Sequence, residues 1–117
     1  MFSVEAQTFT TTPSNTAVLK DATKPVFQCK SDQEAIYMNW LEKKVAYSSF
    51  TVITSGGKLL PVRVTAGYTL DNTNGNFHLS LLVSATTQAG DYRCQVINPT
   101  TNEATAKLTV LGRFITH

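Results

Sequence analysis

Apolar side chains return at every second position along this chain, and that period limits what it can fold into. Phe77-His78-Leu79-Ser80-Leu81-Leu82-Val83 puts Phe77, Leu79, Leu81 and Val83 on one face and His78 and Ser80 on the other, the pattern of a strand buried on one side. Between residues 35 and 41, Ile36, Met38 and Trp40 point one way and Tyr37, Asn39 and Leu41 the other. Further strands are expected at 26–30, 92–97 and 104–111, where β-branched and aromatic residues gather between turn formers. No segment carries a convincing helical period. Ser55-Gly56-Gly57, Asn72-Thr73-Asn74-Gly75-Asn76 and Asn98-Pro99-Thr100-Thr101-Asn102 read as hairpin connections. Pro13 cannot donate to a central ladder, so residues 11–15 suit an edge strand that breaks and changes sheet.

Many short strands without intervening helices imply an all-β sandwich or barrel around one core. A chain of 117 residues suits one domain, expected over 1–112, with 113–117 read as a linker or an appended remnant. The ten basic and eight acidic side chains give a net charge of +2 and lie scattered, which is ordinary globular composition. Lys43-Lys44 is only a dipeptide, so nucleic acid binding is not expected. No apolar run approaches the roughly 18 residues that span a bilayer. The opening Met1-Phe2-Ser3-Val4-Glu5 lacks the basic region and apolar core of a secretory signal. Two explanations stay open: a removed signal with an added start Met, or a cytosolic protein.

Cysteine usage bears on that choice. Cys29 and Cys94 could be a disulfide, a redox pair or part of a metal site. Their separation of 65 residues is not that of a C-x-x-C motif, and only His78 and His117 remain to complete a zinc tetrad. A structural disulfide is the best reading, and it implies an oxidising compartment. Cys29, Trp40, Tyr92 and Cys94 all fall on the inward phase of their strands. In a sandwich with sheets about 10 Å apart, inward cysteines on facing strands can be bridged, and an indole eleven residues after the first can pack on the sulfurs.

Gln88-Ala89-Gly90-Asp91-Tyr92-Arg93-Cys94 resembles the Asp-x-Gly-x-Tyr-x-Cys signature of immunoglobulin-superfamily domains. The resemblance extends from the edge at 10–13 to Lys107-Leu108-Thr109-Val110-Leu111-Gly112, which is similar to the last strand of variable domains. It implies an immunoglobulin-like Greek-key β-sandwich of two antiparallel sheets, with Cys29, Cys94, Trp40, Leu79, Gly90 and Tyr92 as its core signature and Tyr92 as a tyrosine corner. The interval from Trp40 to Arg63 leaves room for a C′ strand near 45–50 and a short C″ near 51–53, so the chain resembles variable-type or intermediate-type domains. In detail it is similar to the first domains of nephrin-like and Kirre-like adhesion receptors and to invertebrate variable-region immune proteins. Two departures stand out. Gln88 replaces the usual Asp, so a Gln88–Arg63 hydrogen bond is expected in place of a salt bridge, and the last strand lacks the Phe-Gly-x-Gly bulge of antibody joining segments.

Catalytic raw material is scarce, and no enzyme, cofactor, metal or small-molecule substrate is expected. His78 faces away from the core and is read as a solvated side chain; His117 is terminal. The acids are spread singly and read as a solvated surface. Ser55-Gly56-Gly57-Lys58 lacks P-loop spacing, and Asn98-Pro99-Thr100 carries the proline that forbids glycosylation. Alternation assigns one outward face to Tyr37, Asn39, Leu41, Arg93, Gln95, Lys107 and Thr109, joined by Tyr47 from C′. On the resemblance, this GFCC′ face, with Lys107 on strand G, Arg93 on strand F and Tyr37 on strand C, would bind a protein partner, either a second copy or a related receptor of the superfamily, at the surface of a membrane-tethered parent. The alternative is an innate immune binder that takes carbohydrate or microbial ligand through loops or edge strands.

Overall fold

The computed structural model describes residues 9–21, 24–32, 37–97 and 101–112. In chain order the elements are β1 (Phe9–Thr11), β2 (Thr16–Leu19), β3 (Val26–Phe27), β4 (Lys30–Ser31), β5 (Met38–Lys44), β6 (Thr51–Val52), β7 (Thr54–Ser55) and β8 (Lys58–Leu59). There follow α1 (Pro61–Thr65), β9 (Tyr68–Asp71), β10 (His78–Leu81), β11 (Gly90–Val96) and β12 (Asn102–Leu111). One layer is a five-stranded sheet in the order β2-β12-β11-β5-β6. The other is β3-β10-β9, continued by β4, which pairs with β1. Between β1 and β2 the chain therefore crosses from one layer to the other around Pro13, as a proline-broken edge strand should. The pairing is antiparallel throughout except at one edge, where β2 runs parallel to β12.

Inward side chains from both layers close one core, with Phe27, Met38, Trp40, Phe77, Leu79, Leu81, Tyr92, Val96 and Leu108 almost fully buried. Each such burial stabilises by about 2 kcal/mol before ordering costs are set against it. Phe27 stacks on Tyr92 with ring centroids 5.1 Å apart and meets Trp40 at 6.2 Å. Cys29 and Cys94 are joined across the layers by a fully buried disulfide with Cα atoms 6.5 Å apart. The Tyr92 hydroxyl donates to the Gln88 carbonyl at 2.7 Å, the bond of a tyrosine corner.

The strand expected at 26–30 is interrupted where the sequence suggests continuity. Over 26–30, the pairing stops after Phe27 and resumes at Lys30. The Phe77 amide donates to the Cys29 carbonyl at 2.7 Å, but the Cys29 amide donates to Nδ1 of His78 at 2.9 Å. The Phe77 carbonyl instead accepts the Trp40 indole N–H at 2.6 Å. Two side chains thus stand in for one rung of the ladder, and the buried indole donor is satisfied in the exchange. His78 is accordingly a half-buried hydrogen-bond acceptor, not the freely solvated side chain expected.

The segment after β5 also departs from expectation. Residues 45–50 form a turn and irregular backbone, and the paired C′ strand is the two-residue β6, opposite Leu41 and Glu42. In place of C″, β7 and β8 form a hairpin through Gly56 and Gly57, whose φ values of 59° and 80° suit the mirror-image turn that joins two strands tightly. The β-branched run Pro61-Val62-Arg63-Val64-Thr65 forms a short helix with no buried residue, because Pro61 sits at its first position, where the missing N–H costs nothing.

Candidate functional site

The outward face of the five-stranded sheet is ordered in rows by its register. Arg93 lies between Leu41 and Thr105, Gln95 between Asn39 and Glu103, and Asp91 between Lys43 and Lys107. The structure thus brings together Asn39, Leu41, Arg93, Gln95 and Lys107 on one surface. Tyr37, 44% exposed, stands at the upper end just before β5, where its carbonyl accepts the Ile97 amide at 2.9 Å. Tyr47 does not join them on C′; it lies in the turn after β5, 65% exposed, with its amide bonded to the Lys44 carbonyl. Ala35, Ile36, residues 98–100 and 113–117, with His117, lie outside the described residues.

At the centre is a residue that alternation does not find. The Phe50 ring carries the Arg93 guanidinium 3.9 Å from its centroid and the Lys43 ammonium 5.3 Å away, both in cation–π range. Arg93 is fixed further by Thr105 Oγ1, to which its Nε donates at 2.9 Å, and by the Glu103 carboxylate at 3.4 Å. Gln95 donates to Glu103 at 2.9 Å, and Lys43 faces Asp91 at 3.8 Å. Thr54 Oγ1 accepts the Trp40 amide at 2.9 Å and donates to Asn39 Oδ1 at 3.2 Å, anchoring the outer edge of β5. The central polar side chains are therefore each bonded to a neighbour, while Leu41, Phe50, Val52 and Tyr37 keep apolar surface open to solvent. Phe50 has no periodic signal because the irregular Ser48-Ser49 stretch precedes it; only its place in the fold reveals it.

Below this face, one acid is not solvated. Glu42 shares the inward phase of Trp40 and is 3% exposed. Its carboxylate takes a hydrogen-bonded ion pair from Arg63 and the Tyr68 hydroxyl at 2.7 Å, and the Arg63 guanidinium lies 5.6 Å from the Tyr68 ring centroid. Burial, reinforced by Glu42, pushes the Tyr68 phenol well above its ordinary range; burial together with Tyr68 does the same to Tyr92. Arg63 therefore pairs with Glu42 and not with Gln88. Gln88 instead closes its own turn, accepting from the Ser84 and Ala85 amides at 2.7 and 3.0 Å and donating to the Leu82 carbonyl at 2.6 Å.

Gly90 is fixed by contact. A Cβ there would stand 2.3 Å from the Lys43 carbonyl oxygen and 2.7 Å from the Lys44 Cα, so only glycine allows β11 to approach β5 this closely. Leu79 and Trp40 are core residues with no exposed surface. Among the described residues no group of three or more His, Cys, Asp or Glu is placed to hold a metal, and no helix is long and apolar enough to cross a membrane.

No family model and no curated protein sequence matches the chain. Its structure is similar to the solved chain of the RIG-5 IG1 homodimer, with a TM-score of 0.74 and 18% sequence identity over 92% of this chain and 99% of that one. At that identity the likeness shows the fold, an immunoglobulin-like β-sandwich with a buried inter-sheet disulfide.

Proposed function

We propose that this chain is an extracellular recognition module of variable type, which engages a second copy or a related immunoglobulin-superfamily receptor through the outward face of its five-stranded sheet. The observation that carries the reading is the centre of that face. Leu41, Phe50 and Val52 present apolar surface among Arg93, Lys43, Glu103 and Gln95, which are already held by their neighbours. Binding there would order few side chains, so little of the contact energy is lost to entropy. The Tyr37 and Arg93 side chains are of the types that dominate interface energetics. Support comes also from the disulfide, which suits an oxidising compartment, and from the similar chain, which was solved as a homodimer. The sequence likeness to adhesion-receptor first domains points the same way, to a membrane-tethered parent and a role in adhesion or immune recognition. Ordered polar groups around open apolar surface are the chemistry of a binding face, and recognition is the reading they support.

Sedimentation velocity over a concentration series tests this. A reversible monomer–dimer equilibrium is expected, abolished by Leu41→Asp and weakened by Tyr37→Ala, with the melting temperature of each variant within a few degrees of the parent, as for a surface change of about 0.5 kcal/mol. The buried area in such a dimer should exceed about 1,000 Å². A strict monomer that binds glycans through its loops would replace this reading with that of an innate immune binder.

A further inference from the structure

At the lower end of the five-stranded sheet, where β5 leaves for its turn, two clefts adjoin. One, of about 320 Å³, is bordered by Glu42, Lys44, Tyr47, Thr51 and Arg63. The other, of about 400 Å³, runs across to β12, with Lys43, Lys44 and Lys107 among its lining and the side chains of Val45 and Val110 as its apolar walls. Lys44 and Tyr47 border both. Four basic side chains and two acidic ones line the pair, so the chain's whole excess of +2 is gathered here, while the six basic and six acidic side chains elsewhere cancel. Two of these cations, Arg63 and Lys43, face Glu42 and Asp91; among the described residues Lys44 and Lys107 have no carboxylate within ion-pair distance. The walls are preformed. The Val45 amide is bonded to the Ala89 carbonyl at 3.0 Å, the Tyr47 amide to the Lys44 carbonyl at 2.8 Å, and Gly90 holds β11 against Lys43 and Lys44.

We infer that these clefts form a second recognition site, for an acidic segment of a protein partner in which carboxylates alternate with apolar side chains. The carboxylates meet Lys44 and Lys107, and the apolar side chains enter the cleft walled by Val45 and Val110. Those walls favour a peptide over a sulfated glycan, which would bring charge but nothing for an apolar cleft to take up. The inference does not depend on self-association through the centre of the sheet.

A short fluorescein-labelled peptide of alternating Glu and Leu is the probe, titrated with the full chain and followed by fluorescence anisotropy. Binding is expected, weakening as NaCl is raised from about 50 to about 300 mM. Lys44→Glu/Lys107→Glu should reduce affinity about tenfold or more, and Lys24→Glu/Lys58→Glu, which makes the same change in net charge elsewhere, should leave it unchanged. If the glutamate pair impairs folding, judged by its melting curve, Lys44→Gln/Lys107→Gln should still show a smaller loss. Equal loss in both charge-reversal pairs would overturn the site, as would equal binding of an alternating Glu and Ser peptide. A heparin fragment that binds where the Glu and Leu peptide does not would overturn it in favour of a sulfated glycan. These results are read separately from sedimentation, so either proposal can fail alone.

Discussion

The two layers of this sandwich reach the same core by different means. In the five-stranded sheet, β5, β11 and β12 pair without a break over seven residues, and the outward side chains bond along the rows that the register sets. In the smaller layer the ladder is broken beside Cys29, where His78 and Trp40 supply bonds that backbone would otherwise make. The regular layer can present an ordered face because its central ladders close on backbone alone, while side chains complete the bonding toward its edges, as Thr54 does for the Trp40 amide. The interrupted layer spends side chains on its own backbone, and so depends on tertiary contacts that single substitutions can remove.

That contrast can be broken most severely at the link between the layers. Cys29→Ala removes a cross-link closing a 65-residue loop, and about 4 kcal/mol of stability should go with it by the chain-entropy estimate. Urea unfolding should show a chain that is largely unfolded or much less stable, and a melting temperature indifferent to strong reductant would refute the role. Arg63→Met should cost about 3 kcal/mol by leaving the Glu42 carboxylate buried without its cation, and Arg63→Met/Glu42→Leu should recover most of that loss. A double-mutant cycle from denaturant midpoints measures the coupling; additive losses would contradict it. His78→Phe should cost about 2 kcal/mol by orphaning a buried amide, with faster hydrogen exchange at Cys29 while β11 amides stay protected. Equal loosening of both layers would erase the distinction drawn between them.

The smallest effect is alkaline. Tyr68 and Tyr92 hold their protons more tightly folded than unfolded, so their contribution is intact below the ordinary phenol value near 10. Above it the unfolded chain binds fewer protons than the native one, and stability should fall by about 1 kcal/mol per pH unit for each phenol. Denaturant melts between about pH 9 and 11 read this slope, and Tyr68→Phe should reduce it by about half. A slope unchanged in that variant would count against the buried phenol at Glu42.

What could be read from the sequence follows the same division. Strict alternation around Trp40, Leu79 and Cys94 marks the regular strands and their buried faces, and Pro13, Gly56 and Gly57 mark where the chain bends, since each of these signals is local. The break beside Cys29 is not local: it arises from an imidazole and an indole that reach other strands. The same holds for Glu42, read from the sequence among the solvated acids because its partners lie 21 and 26 residues away, and for Phe50, which meets Arg93 only once the sheet is formed. Val62 and Val64 look like strand residues, but Pro61 overrides them with a turn of helix.

The parallel neighbours β2 and β12 have a mechanical consequence. When the backbone entering Thr16 and the backbone leaving Leu111 are pulled apart, the two strands are drawn past each other lengthwise, and their mutual hydrogen bonds share the load together instead of opening one by one. A tether strung through this module between two surfaces would grip hardest along the direction in which it is stretched.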